Sequence, residues 1–188
     1  MTRVVGEGPD LALIHGWGLG SAVWEPLLPA LSARARVHLI DLPGYGEAAD
    51  DSGDFTATAQ TLIDALPNPV VLCGWSLGGM LAVRAAVLAP ERVNGLVLVG
   101  ATASFTQRGD WRAAQAPAVV DSFSASVRLQ PEQTLQRFVA LLSQGDNQAR
   151  AISRELLASL DRGPGPRIAA LDRGLEWLRE IDLRPLLP

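Results

Sequence analysis

The sequence predicts an α/β fold: a mostly parallel sheet with helices on both faces, followed by a helical insert. Three observations lead there. Short apolar runs at Leu11–Ile14, Val37–Ile40, Val70–Cys73 and Gly95–Gly100 are separated by helix-like stretches. Such alternation is the pattern of βαβ units. The runs are largely continuous in apolar character, as expected of strands buried on both faces. After Ser104 the strand-like runs stop, and helical periodicity takes over.

Taken in order, Val4 and Val5 read as a short strand end, and Gly6 to Asp10 as a turn. The strand Leu11–Ile14 runs into the loop His15-Gly16-Trp17-Gly18-Leu19-Gly20. That loop is not a dinucleotide fingerprint, because Ser21 occupies the third glycine position. Ala22 to Leu31 reads as a helix, and Val37–Ile40 as the next strand. Asp41-Leu42-Pro43-Gly44-Tyr45-Gly46 is a rigid turn, in which Asp41 is read as a structural hydrogen bonder. Residues 47–54 are acidic and loop-like. Phe55 to Leu66 is a helix stopped by Pro67-Asn68-Pro69. The strand Val70–Cys73, the helix from Met80 to Ala89 and the strand Gly95–Gly100 complete the core.

In the insert, Trp111 to Val127 is mixed in character, with Phe123 among apolar neighbours. Pro131 to Ser143 is helical, with Leu135, Phe138, Val139 and Leu142 on one face. Gln148 to Leu160 is a second helix, with Ile152, Leu156, Leu157 and Leu160 inward. A Gly163-Pro164-Gly165-Pro166 loop follows, and Ile168 to Trp177 is a further short helix. The predicted division is a core over 1–104, a helical cap over 105–178, and a return towards the core over 179–188.

The chemistry centres on Gly74-Trp75-Ser76-Leu77-Gly78, set between a strand and a helix. A G-x-S-x-G in that setting is a nucleophile elbow. The glycines let the chain turn sharply, and the serine hydroxyl is held at the start of a helix whose N–H groups are free to face an oxyanion. Ser76 is the expected nucleophile. From the His-Gly loop, the backbone N–H of Trp17 is the expected second oxyanion donor, with the Trp17 indole as a pocket wall.

Composition narrows the class. The 188 residues are 48% hydrophobic with a net charge of −4, which argues against nucleic acid as a partner. There is neither a run of about 18 apolar residues nor a signal-peptide pattern at the start, so no membrane anchorage is expected. A single cysteine, Cys73, suits a reducing cytoplasm and reads as core filling. All 16 basic residues are arginine. Eleven of them fall after Ser104 against ten acids, a net +1, whereas residues 1–104 carry −5. No metal-ligand cluster is visible, and neither a metal nor a cofactor is expected.

A serine needs a base. In an elbow of this type the order is Ser, then Asp or Glu, then His. No histidine follows Ser76; the only two are His15 and His38, and His15 is expected to be structural. The triad Asp and His are therefore absent from this sequence, and Gly95–Gly100 is expected at an unfilled sheet edge. The chain reads as the front part of a longer hydrolase, with C-terminal strands missing and poor activity expected of these 188 residues.

His15-Gly16-Trp17-Gly18-Leu19, Asp41 to Gly46, Gly74 to Gly79 and Pro90-Glu91-Arg92-Val93 resemble the α/β-hydrolase superfamily, a three-layer sandwich with a helical cap. Arg137 to Leu141, and Leu175-Glu176-Trp177-Leu178 running to Asp182-Leu183-Arg184, resemble more narrowly the pimeloyl-[acyl-carrier protein] methyl ester esterase (BioH) family of biotin synthesis. That resemblance implies a serine carboxylesterase acting on a carrier-bound pimeloyl methyl ester, a monomer if complete. It implies that the backbone N–H groups of Leu77 and Trp17 hold the oxyanion, and that Trp17, Ser76, Leu77, Phe138, Val139, Ala140, Leu141 and Leu142 contact the substrate. The carrier is generally acidic, so Arg137, Arg150 and Arg154 are candidates to dock it. Two alternatives stay open: another hydrolase of this superfamily (lipase, lactonase or thioesterase), and an inactive fragment or binding module.

Overall fold

The computed structural model describes residues 2–50 and 53–187. Asp51 and Ser52 of the predicted acidic loop, and Pro188 at the end of the tail, lie outside them. The sheet has five strands, β1 (Thr2–Val5), β2 (Asp10–Ile14), β3 (Arg36–Ile40), β4 (Val70–Trp75) and β5 (Val93–Val99), in the order β1-β3-β2-β4-β5. All neighbours are parallel except β1, which runs antiparallel to β3. The short Val4–Val5 strand end is thus a full edge strand.

Register sorts the apolar residues into two layers. Leu13 pairs with both Leu39 and Cys73, so these side chains share a face. With Val37 they pack against Trp24 and Leu28. The predicted helix over 22–31 is two pieces: a 3-10 stretch, Ser21–Leu27, then the short α1, Leu28–Ser32. Pro26 and Pro29 lack the N–H that a continuous α-helix would use.

The opposite face carries Ala12, Ile14, Ile40 and Leu72. Against it lie α2 (Phe55–Asp64) and α3 (Leu77–Leu88). Asp54 caps α2 by accepting the Ala57 N–H at 2.7 Å. α3 is apolar almost all round, as a helix wedged between a sheet and its neighbours must be.

Beyond β5 the chain forms small bridges and then four helices: α4 (Pro117–Leu129), α5 (Pro131–Leu142), α6 (Ala149–Leu160) and α7 (Ile168–Glu180). The stretch expected to be mixed is mostly the regular helix α4, which buries Val120 and Val127. Exposed charge pairs bridge α4 and α7, Arg128 to Asp172 at 2.9 Å and Arg179 to Asp121 at 2.5 Å. Residues of α7, including Leu171, Leu175 and Trp177, share one apolar cluster with the sheet. β5 is the open side of this architecture. Leu96, Val97, Leu98 and Val99 are 40%, 48%, 47% and 42% exposed, on both faces of the strand.

Candidate active site

Ser76 sits between the end of β4 and the first residue of α3. Its φ of 52° and ψ of −116° make it the only non-glycine residue with positive φ among the described residues. Such a backbone costs about 1–3 kcal/mol and persists only when the surroundings impose it. They do. The Ser76 N–H donates to Val99 at 2.9 Å, and its carbonyl accepts from Gly79 at 2.9 Å and Met80 at 3.1 Å. A side chain on Gly78 would come within 2.5 Å of the Ile14 and His15 carbonyls; one on Gly74 would come within 2.4 Å of the Gly78 carbonyl. The glycines thus let α3 begin directly against the ends of β2 and β4.

Leu77 opens α3, so its N–H has no carbonyl partner within the helix. The His15–Gly20 loop crosses beside it. A Cβ on Gly16 would lie 3.5 Å from the Ser76 Cβ, which puts Trp17 one residue from the serine. The next two N–H groups of the loop are committed, Gly18 to the Tyr45 hydroxyl at 3.3 Å and Leu19 to the Gly16 carbonyl at 3.4 Å. Tyr45 is fully buried, and burial pushes its phenol above its ordinary range.

The Trp17 side chain is 2% exposed. Its indole N–H donates to the Leu171 carbonyl of α7 at 2.8 Å. Phe138 and Phe123 meet its ring edge-on, with centroids 5.0 and 5.4 Å away. Gly18, at φ 73°, leaves room for Leu135, whose Cδ2 a methyl there would approach to 2.9 Å.

The run 138–142 does not stay together. Phe138 faces Trp17, and Val139 is buried with Leu19 and Leu156. Ala140 lines the groove between α5 and α6. Leu141 and Leu142 are 60% and 38% exposed. Leu142 does not share the inward face of Leu135, contrary to the expected pattern. Successive helical residues are rotated by about 100°, and the closely packed sector of α5 ends at Val139. Arg150 and Arg154 line the α5–α6 groove with Ser143, Ser153 and Leu157, and a Ser143–Ser153 hydroxyl pair at 2.6 Å joins the helices. Arg137 is exposed on α5.

Both histidines are committed. The His15 Nε2 accepts the Leu42 N–H at 3.0 Å, so the proton is assigned to Nδ1, which donates to the Gly16 carbonyl at 2.8 Å. Burial depresses its pKa. His38 holds Asp10 at 2.6 Å and pairs in register with Ala12, which in turn pairs with Leu72. Leu72 is four residues before Ser76, so His38 lies about 13 Å down the strands from the serine. Asp41 accepts the Ser21 N–H at 2.8 Å and so serves as a structural acceptor. Asp182 is held by Arg184, and its carboxyl is lowered to about 2. Among the described residues no group of three or more His, Cys, Asp or Glu is arranged to hold a metal, and no helix is long and apolar enough to cross a membrane.

A strained serine on a strand–helix turn, over a parallel sheet and beside a glycine-rich loop, defines a hydrolase of the α/β class. The chain belongs to the alpha/beta hydrolase family, whose model matches residues 11–187, and within it to the pimeloyl-[acyl-carrier protein] methyl ester esterases. It is 44% identical over 183 residues to the esterase of that name from Photobacterium profundum, covering 97% of this chain and 72% of that one. The esterase of the same name from Nitrosomonas europaea is 41% identical over 184 residues, covering 97% and 73%. An esterase structure from Exiguobacterium antarcticum superposes with a TM-score of 0.86 at 22% identity, covering 98% and 70%, and shows the shared fold.

Tyr45, Phe123, Leu171 and Gly174 complete the surroundings of Ser76 and Trp17, yet sequence reading assigns them no part in the site. Leu171 lies 154 residues from Trp17, and nothing local in either segment signals their meeting.

Proposed function

We propose that this chain supplies the nucleophile and oxyanion hole of a serine carboxylesterase that removes the methyl group from a pimeloyl ester carried on acyl-carrier protein. The observation that carries this reading is the Ser76 backbone, held at φ 52° beside the Gly16–Trp17 loop. Ser76 Oγ attacks the ester carbonyl carbon as its proton passes to a base. The carbonyl oxygen gains negative charge and meets the N–H groups of Leu77 and Trp17. Collapse breaks the bond to the methoxy group, which leaves as methanol after taking a proton. Water then cleaves the acyl–Ser76 ester and frees the carboxylate.

Helices α4–α7 act in this reading as the cap, with Phe138 closing over Trp17. The groove holding Arg150 and Arg154 faces the acidic carrier, and Arg137 adds charge nearby. The relatives' names support the substrate; a cytoplasmic setting suits a carrier-bound metabolite.

One observation favours a second reading, a binding module: the ring nitrogens of His15 are both occupied, and His38 is remote. Hydrolysis of a short p-nitrophenyl ester by the folded 188-residue chain, beside Ser76→Ala, separates the two. The esterase reading expects a Ser76-dependent rate above the floor that Ser76→Ala keeps, since an oxyanion hole and binding alone give about 10³–10⁴-fold over water with or without the serine. Equal rates for both proteins would leave the binding module.

A further inference from the structure

The turn Leu171–Gly174 of α7 touches both residues assigned above as oxyanion donors. The Leu171 carbonyl takes the Trp17 indole N–H at 2.8 Å. A Cβ built on Gly174 would lie 2.6 Å from Trp17 Cδ1, 3.2 Å from Trp17 Nε1 and 3.2 Å from Leu77 Cδ2. Gly174 is buried in mid-helix and has no unusual φ, so backbone freedom does not explain a glycine there. Alanine would favour the helix more. The space it would fill is taken by the side chains of Trp17 and Leu77. These come from separate segments, the loop after β2 and the start of α3, and meet at this one point of α7.

We infer that Gly174 is a positioning residue: by letting α7 rest on Trp17 and Leu77 together, it sets the spacing of their two backbone N–H groups around the oxyanion. The inference rests on the esterase reading for its consequence and on packing alone for its geometry. Oxyanion donors are effective only near hydrogen-bond distance, so a displacement of a few tenths of an ångström reaches the chemistry. Trp17 and Leu77 are 2% and 1% exposed, so neither has free space into which to retreat.

The test is Gly174→Ala, with Glu176→Ala on the exposed side of the same helix as a control. The first readout is proton exchange of the Trp17 indole N–H, assigned by its loss in Trp17→Phe, together with the Leu77 amide resonance. The expected result is about tenfold faster indole exchange and a shifted Leu77 amide in Gly174→Ala, with neither change in the control. Adding Trp17→Phe removes the five-membered ring that the new methyl meets, so the Leu77 amide returns towards its original position. In a preparation with Ser76-dependent turnover, Gly174→Ala lowers kcat about tenfold or more with KM within about twofold, and the double variant recovers part of the loss. If the parent chain has no such turnover, the esterase reading fails while the exchange data still decide the packing. Unchanged indole exchange and an unmoved Leu77 amide in a folded Gly174→Ala protein would overturn the inference.

Discussion

His15 and Leu42 are joined by a 3.0 Å hydrogen bond in which the backbone N–H of Leu42 donates to the imidazole Nε2. The other ring nitrogen, Nδ1, donates to Gly16 at 2.8 Å, so one neutral ring fastens the loop beside Ser76 to the turn after β3. Burial lowers the histidine pKa, outweighing the opposing pull of the Gly16 carbonyl and the Asp41 carboxylate. The folded state therefore binds fewer protons than the unfolded state between the lowered value and about 6.5, and stability rises with pH there. It is fully present above about 6.5 and declines as pH falls below it. Urea midpoints at pH 7.5 and 5.5 are expected to show a loss on the acid side that His15→Ala removes. That variant is itself weaker by about 1–3 kcal/mol, because Leu42 loses its acceptor. Asp10 and Asp182, held near 2 by arginine partners, weaken the fold only below about 4 and do not confuse the comparison.

The strain at Ser76 has a measurable cost. Glycine adopts positive φ without penalty, whereas alanine at this position keeps the strain. Ser76→Gly is expected to be more stable than Ser76→Ala by about 1 kcal/mol, after allowing for the greater freedom of glycine in the unfolded chain. For a chain of this size that is a Tm difference of about 2–4 °C. Equal melting temperatures would show that the turn is relaxed.

The elbow was legible in the sequence because its determinants are local: Gly74, Ser76 and Gly78 lie within five residues, between an apolar run and a helix. The sheet was legible for a similar reason, since β2, β3 and β4 are largely buried and appear as unbroken apolar runs; β5 shows the same kind of run but is exposed on both faces, not buried as its composition suggests. What surrounds Trp17 was not, because Tyr45, Phe123 and Leu171 come from three distant segments. The apolar periodicity of α5 overruns its contact at Leu142, where an apolar residue continues the pattern past the last packed position. Helix α4 was obscured by its composition: Ser122, Ser124 and Ser126 interrupt the apolar pattern, while Val120 and Val127 still bury against neighbouring elements.

β5 offers a seven-residue edge carrying no charge from Val93 to Val99, and four of its side chains are about half exposed. Among the described residues no strand pairs with its outer side, and an uncovered apolar edge favours pairing with other chains. Val97→Lys places a charge on that edge at a residue 48% exposed, so it is expected to alter stability by less than about 1 kcal/mol. Sedimentation velocity across a concentration series should show less association than in the parent. An unchanged distribution would mean that this edge takes no part in association.

Arg150 and Arg154 stand one helical turn apart on α6 and line the same groove. If the groove meets an acidic carrier, reversing both charges removes attraction and adds repulsion. Arg150→Glu with Arg154→Glu is expected to weaken carrier binding about tenfold or more at low salt, with the gap narrowing as salt screens the contact. Both side chains are exposed, so Tm should move by no more than a degree or two. Hydrolysis of a short carrier-free ester, where present, should be untouched, because that substrate needs only the Ser76 end of the site. Titration of acyl-carrier protein at two salt concentrations, for parent and variant, reads this directly. Equal affinity at both would move the docking surface elsewhere on the protein.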